Sequence, residues 1–214
     1  MLTAFCQAHD TAQRSKSFLI SHASHPDIDG INHLLAKIYQ ELGFKVEFIP
    51  TPTKRGLLLV SAGVVDADSV RSRKTIAAQP NLIRIDPSFN QVVQLLVCRK
   101  GIPCSGDILM DKNATILINS GAVNELTQKH ITANIVINEK FDIYLDLIRA
   151  GRYHYALYPT DNKNMLKLKQ EFNVVEMSSS SFHHVVHKKH RALAPEIEKL
   201  LMKYRQEAKD AKNN

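Results

Sequence analysis

Arg71 is the residue whose chemistry the sequence puts forward first. It follows Asp68 and Ser69 at the end of the run Lys37 to Arg71, which reads as helix, strand, helix, strand. Open α/β sheets hold their ligands at the carboxyl ends of strands. A guanidinium offers a planar fork of N–H donors to a carboxylate, and it is costly to bury without one. The plain alternative is a solvated arginine beside Arg73 and Lys74.

The second candidate is the turn Asn119-Ser120-Gly121, between the β-branched run Ala114 to Ile118 and a helix expected from Ala122. Backbone N–H groups left free at a helix start attract an anion, although the same turn serves equally as an ordinary cap. Arg55, just after the Pro52 turn, reads as a basic surface or contact residue. His183, His187 and His190 would share one helix face at i, i+4 and i+7, a zinc-like spacing. The β-branched Val185-Val186 instead favours a strand, in which His183 and His187 stand about 13 Å apart and share no ion. No metal and no cofactor is therefore expected. No GxSxG, HExxH, P-loop or glycine-rich dinucleotide turn occurs, so no catalytic residue is assigned.

Alternating elements must position these groups. Ser17 to Ser21 is strand-like, and a polar loop, His22 to Gly30, follows it. Ile31, Leu34, Leu35, Ile38 and Leu42 mark a helix that Gly43 ends. Lys45 to Ile49 alternates as a half-buried strand, and Leu57 to Leu59 belong to a helix stopped by Gly63. Val64 to Val70 reads as a strand with Asp66 and Asp68 on one face. Further strands are expected at 82–85, 91–99, 135–137, 155–158 and 182–187, with helices between and an amphipathic helix at the end. Lys203 to Asn214 reads as a frayed tail. Strands and helices in alternation argue an α/β protein.

The 214 residues suffice for one large domain or two small ones, and 44% apolar content makes the chain globular. A formal charge of +7 suits an anionic partner, but the basic residues carry no aromatic interleaving, so nucleic acid is not expected. No run is long enough to cross a bilayer. Met1 to Ala8 ends in a small-x-Ala pattern, read either as the remnant of an export signal or as an ordinary N-terminus. Cys98 and Cys104, six apart around Gly101 and Pro103, suit a small disulfide loop in an oxidising compartment or two free thiols in a reducing one.

The stretches GFKVEFIP and TKRGLLLVSAGVVDAD, PNLIRI at Pro80 to Ile85, FDIYLDLIRAGRYHYALYP at Phe141 to Pro159 and FHHVVHKKHRALAPEIEKLL together resemble bacterial extracellular solute-binding proteins of the polar amino-acid type, most closely a small branch of that superfamily. The resemblance implies a two-lobed periplasmic-binding-protein fold of type II, its lobes joined by two crossover strands. Residues 1–14 would precede the lobes, 15–90 with 181–214 would form the first, and 91–180 the second, with Ser178 to Ser181 at the returning crossover. It implies a monomeric, periplasmic, non-enzymatic binder that hands a small carboxylate-bearing solute to an inner-membrane transporter or sensor. The alternatives are a dehydratase-like enzyme on the same fold and a cytoplasmic ligand-sensing module. Arg71, Asp68 and Ser69 would face the cleft, Ser120 and Gly121 would meet the ligand carboxylate, Arg55 matches the basic position before the second helix, and Asp161 would meet the ligand amine. Asp66 would be architectural. The family's Ser/Thr-Pro-Glu-Arg carboxylate clamp is absent here, and its N-terminal cover is reduced to SFLISHASHPDIDG.

Overall fold

Phe18 and Ile20, the alternate apolar residues of SFLIS, are buried at the centre of the first half of a sheet. The computed structural model describes residues 17–122 and 131–213. The leader-like residues 1–14 and most of the helix expected from Ala122 lie outside the described residues.

Strand β1 (Ser17–His22) pairs in parallel with β2 (Lys45–Pro50) and β3 (Ala67–Ser72). The crossovers are helices α1 (Ile28–Glu41) and α2 (Thr53–Ser61). Gly43 and Gly63, with φ of 82° and 71°, end them in the left-handed conformation that glycine adopts without strain. Helix α1 starts three residues earlier than its apolar stripe suggests: Ile28 is buried and Gly30 is accommodated in the first turn. Strand β3 starts at Ala67, so Asp66 and Asp68 do not share a face as expected. Asp66 instead accepts from the Leu19 N–H at 2.9 Å, Lys189 Nζ at 2.8 Å and His190 Nε2 at 2.6 Å, tying β1 to the turn Lys188–Leu193. That is the architectural role expected of it.

After α3 (Arg73–Ala77) and the short β4 (Leu82–Arg84), β5 (Asn90–Cys98) leads into the second half. There β6 (Thr115–Ile118) and β7 (Asn134–Ile137) run parallel, and β8 (Tyr155–Asp161) lies between β5 and β6. Helices α4 (Tyr144–Arg149) and α5 (Asn162–Glu171) flank β8 in sequence. The chain returns on β9 (Asn173–His187) and closes with α6 (Ala194–Asn213). The expected frayed tail is the end of α6: Lys203 and Tyr204 reach Glu41 on α1, and Arg205 Nη1 donates to the Ser88 carbonyl at 2.9 Å.

The strand order is β2-β1-β3-β9-β5-β8-β6-β7, with β4 on β9. The apolar residues divide along it. Phe18, Ile20, Tyr39 and Ile197 belong to one core, with Val60 and Val185 beside it; Leu95, Leu117, Tyr144 and Phe172 belong to another, with Leu96 and Ile116 beside that. Strand β9 serves both. Val174 and Val175 pack in the second half and Val185 and Val186 in the first, and Ser178 to Ser180 lie between them, paired with β5. Valines 185 and 186 are on a strand, as their branching requires.

Cys98 and Cys104 are disulfide-bonded, which settles the alternative left open by their spacing. Closing so short a loop restricts the unfolded chain, so replacing both by Ser should cost about 2 kcal/mol, read as a lower urea midpoint. His184 gives a second expectation. It is fully buried, the Tyr39 hydroxyl meets its Nε2 at 2.8 Å, and burial pulls its pKa from 6.5 down to about 4. The unfolded chain therefore takes up this proton first as pH falls. Stability present above pH 6.5 should decline by about 3 kcal/mol on the way to pH 4, and His184→Gln should flatten that part of the stability–pH curve.

Candidate functional site

Strand β3 emerges between the two cores and carries Asp68 and Arg71 with it. Both side chains are almost wholly buried, Asp68 at 1% and Arg71 at 6% exposure, and they form an ion pair through Arg71 Nη2 and Asp68 Oδ2. Ser21 Oγ donates to the same carboxylate oxygen at 2.7 Å, the Val70 N–H reaches the other at 3.3 Å, and Arg71 Nη1 donates to the Thr53 carbonyl at 2.9 Å. Helix α2 lies against this pair through Gly56. A Cβ there would stand 2.8 Å from Arg71 Nη2 and 3.2 Å from Asp68 Oδ2, so any side chain at this position would displace the pair.

The pair lines a cavity of about 150 Å³ between the two halves of the sheet. Arg71, Asp68, Gly121 and Asp161 line it, so four of the seven expected binding residues meet there. The other three do not. Ser69 is buried beneath the strand and donates to Asn32 Oδ1 on α1 at 2.6 Å. Arg55 is exposed on α2 and is not part of the lining. Ser120 is held at the rim, where its hydroxyl accepts from the Lys54 N–H at 3.2 Å and its own N–H donates to Glu139 Oε1 at 3.1 Å. Glu139 Oε2 accepts from the Thr53 N–H at 3.0 Å. One carboxylate thus joins the start of α2 to the 119–121 turn and occupies the Ser120 N–H, one of the two backbone donors expected to meet a ligand carboxylate. Asn119 Nδ2 adds a bond to Thr53 Oγ1 at 3.2 Å.

A second set of contacts crosses the cavity at the loop after β1. His25 Nε2 donates to the Pro159 carbonyl at 2.9 Å, its Nδ1 accepts from the Asp27 N–H at 3.0 Å, and its ring lies 5.1 Å from those of Phe141 and Tyr158. Burial lowers its pKa, against the opposing pull of Asp27 and the Pro159 carbonyl, so the ring is neutral near pH 7. Asn164 Nδ2 on α5 donates to Asp27 Oδ1 at 3.0 Å. Asp161 caps α5 by accepting from the Asn164 N–H at 2.7 Å, yet it borders the cavity. Two buried polar atoms of lining residues have no partner among the described residues, Arg71 Nε and Asn90 Oδ1.

Sequence reasoning missed Gly56, Glu139, His25 and Asn90. For Gly56 a signal existed, since a glycine inside a helix costs about 1 kcal/mol against alanine and marks a close approach. Glu139 and Asn90 belong to no motif. His25 sat in a stretch read as plain loop.

Among solved structures, the chain is similar to the arginine-bound form of truncated ArgBP from T. maritima, with a TM-score of 0.70, 16% identity and coverage of 88% of this chain and 96% of that one. The fold is that of the two-lobed periplasmic solute-binding proteins. The chain is also similar to the substrate binding protein of an amino acid ABC transporter, with a TM-score of 0.70, 16% identity and coverage of 92% and 96%. A third similar structure is the ancestral amino acid-binding protein AncCDT-1, a precursor of cyclohexadienyl dehydratase, with a TM-score of 0.70, 15% identity and coverage of 90% and 91%. No protein-family model and no curated protein matches the chain in sequence. In a two-lobed fold of this kind the contacts at Glu139 and at His25 hold the lobes together. No helix among the described residues is long and apolar enough to cross a membrane.

The fit at the Glu139 rim is testable. A Cβ on Gly121 would stand 2.6 Å from Thr53 Cγ2. Gly121→Ala should therefore push the turn off α2 at a cost of about 1–3 kcal/mol to the closed form, seen as a larger radius of gyration in solution scattering. Adding Thr53→Ser, which removes Cγ2 and keeps the hydroxyl that Asn119 bonds, should restore the compact value.

Proposed function

We propose that this protein is a non-enzymatic solute-binding protein that captures a small polar ligand between its two lobes and delivers it to an inner-membrane transporter or sensor. The lobes are taken as 15–90 with 181–214 and as 91–180, acting as a monomer. The observation that carries the reading is the cavity itself: it is lined by β3 from one half and by the 119–121 turn and Asp161 from the other, and the buried Asp68–Arg71 ion pair forms part of its wall. Its volume is comparable with that of cavities that admit a benzene-sized guest. The amino-acid-binding neighbours support small-solute binding.

The Cys98–Cys104 bridge supports an oxidising compartment, hence the periplasm, and weighs against a cytoplasmic sensing module. An enzyme on the same fold is the second reading, favoured by one similar structure being a precursor of cyclohexadienyl dehydratase. Against it, His25 is the one histidine in the lining among the described residues, and both its ring nitrogens are engaged, which leaves that ring no free site for proton transfer.

A thermal-shift screen with amino acids, amines, small carboxylates and sugars tests the proposal. A true ligand at 100 times its dissociation constant adds about 2.7 kcal/mol. Ala23→Trp, which places a large ring in the cavity, should abolish the shift while the protein stays folded. A screen without any stabilising compound, or a shift that survives Ala23→Trp, would sink the binding reading; conversion of a bound compound to a product would move the assignment to an enzyme.

A further inference from the structure

We infer that the ligand of this cavity is an organic ammonium ion without a carboxylate group. The inference rests on the binding reading above and narrows its ligand class. Its first support is that the protein's own carboxylates already hold two of the groups expected to meet a ligand carboxylate. Asp68 neutralises Arg71, and Glu139 takes the Ser120 N–H with one oxygen and the Thr53 N–H with the other. The Asp68–Arg71 pair therefore offers no net positive charge to a ligand carboxylate.

Its second support is charge. The lining holds three aspartates, Asp27, Asp68 and Asp161, and one arginine, Arg71, with no lysine among the described residues. Two negative charges are therefore left over, since His25 is neutral. In a chain with a formal charge of +7 this is the opposite of what a random sample of the surface would give. Closing the lobes over an anion would bring like charges together in a poorly hydrated space, whereas an ammonium ion would be attracted.

Hydrogen bonding and shape supply the third support. Asn90 and Gln94 bring side-chain amides to the lining, and an amide oxygen accepts from an N–H donor. Phe141 and Phe182 line the same space, and their faces tolerate a cation. The ligand that meets all of these demands is a compact amine carrying at most a neutral acceptor such as a hydroxyl or an amide carbonyl.

The test compares matched pairs that differ only in the carboxylate: histidine with histamine, lysine with cadaverine, arginine with agmatine, and each amino acid with its amide. Dissociation constants are read by calorimetry on the full chain. At least one amine or amide should bind about tenfold or more tightly than its acid. Asp161→Asn, which retains a capping side chain, and Asp27→Asn should each weaken that amine about tenfold. Asp68→Asn, by freeing Arg71, should improve binding of the matching acid. Acids that bind as well as their amines, or a neutral solute that binds in preference to every amine, would overturn the inference and leave the binding reading intact. Unchanged amine affinity in both Asp161→Asn and Asp27→Asn would overturn it too. If no compound of any class binds, the binding reading falls first and the inference with it.

Discussion

The structure around the cleft depends on one buried ion pair. Taking a guanidinium and a carboxylate out of water costs several kcal/mol for each ion, and their attraction offsets this only when the remaining donors and acceptors are also satisfied. The surroundings of Asp68 and Arg71 follow from that demand. Strand β1 contributes the Ser21 hydroxyl, β3 the Val70 N–H, and the start of α2 the Thr53 carbonyl. Helix α2 approaches closely enough to contribute only because position 56 has no side chain. Three elements of one lobe are thus held in register by a charge pair, and that pair opens directly on the cavity. Replacing it by apolar residues of the same volume would not be expected to lower stability; what it supplies is a fixed polar geometry at the cleft wall.

Much of the fold was legible because its signals are local. The glycine exits at Gly43 and Gly63, the alternation in Lys45 to Ile49 and the branched residues of Thr115 to Ile118 each specify an element from within a few residues. The places where boundaries slipped are those where tertiary contacts decide. Asp66 reads as strand by composition, and its backbone still bonds the Leu19 carbonyl and the His187 N–H, but its side chain is taken up by the Leu19 N–H and by Lys189 and His190 of the turn before α6. The end of the chain reads as a tail by composition, and it is helical where Lys203, Tyr204 and Arg205 find partners on α1 and at Ser88. In the candidate site, Arg71 was put forward by its chemistry and Asp161 by family likeness, and both line the cavity. Ser69 was misplaced because strand alternation turns it away from its neighbour Asp68. Glu139 was invisible, since a lone glutamate in a connecting segment acquires meaning only when the lobes bring Thr53 and Ser120 to its two oxygens.

The division of the apolar residues explains how such a cleft can work. Most aromatic and aliphatic side chains are buried within one lobe or the other, and among the described residues β5 and β9 are the strands that run between the two cores, with serines where β9 changes from one to the other. Most of what crosses the cleft away from those strands is polar: the Glu139 bonds, His25 to Pro159 and Asn164 to Asp27. Such bonds exchange with water, at a net gain of about 0.5–1.5 kcal/mol for a neutral pair and about 1.5–3 kcal/mol where a carboxylate accepts. Separate cores joined across the cleft mainly by bonds that water can replace suit a hinge better than a rigid block.

On the proposed binding reading, specificity comes from the cavity lining and not from the rim. The rim bonds are the same whatever solute is enclosed, so they cannot tell one solute from another. Discrimination then falls to groups that line the cavity, and a ligand shifts a balance between open and closed forms only by its differential interaction with the closed one. Here those groups are an already neutralised arginine and two further aspartates. The field inside the cleft is thus set by the few side chains that β3, the loop after β1 and the start of α5 deliver to it, independently of the basic surface outside.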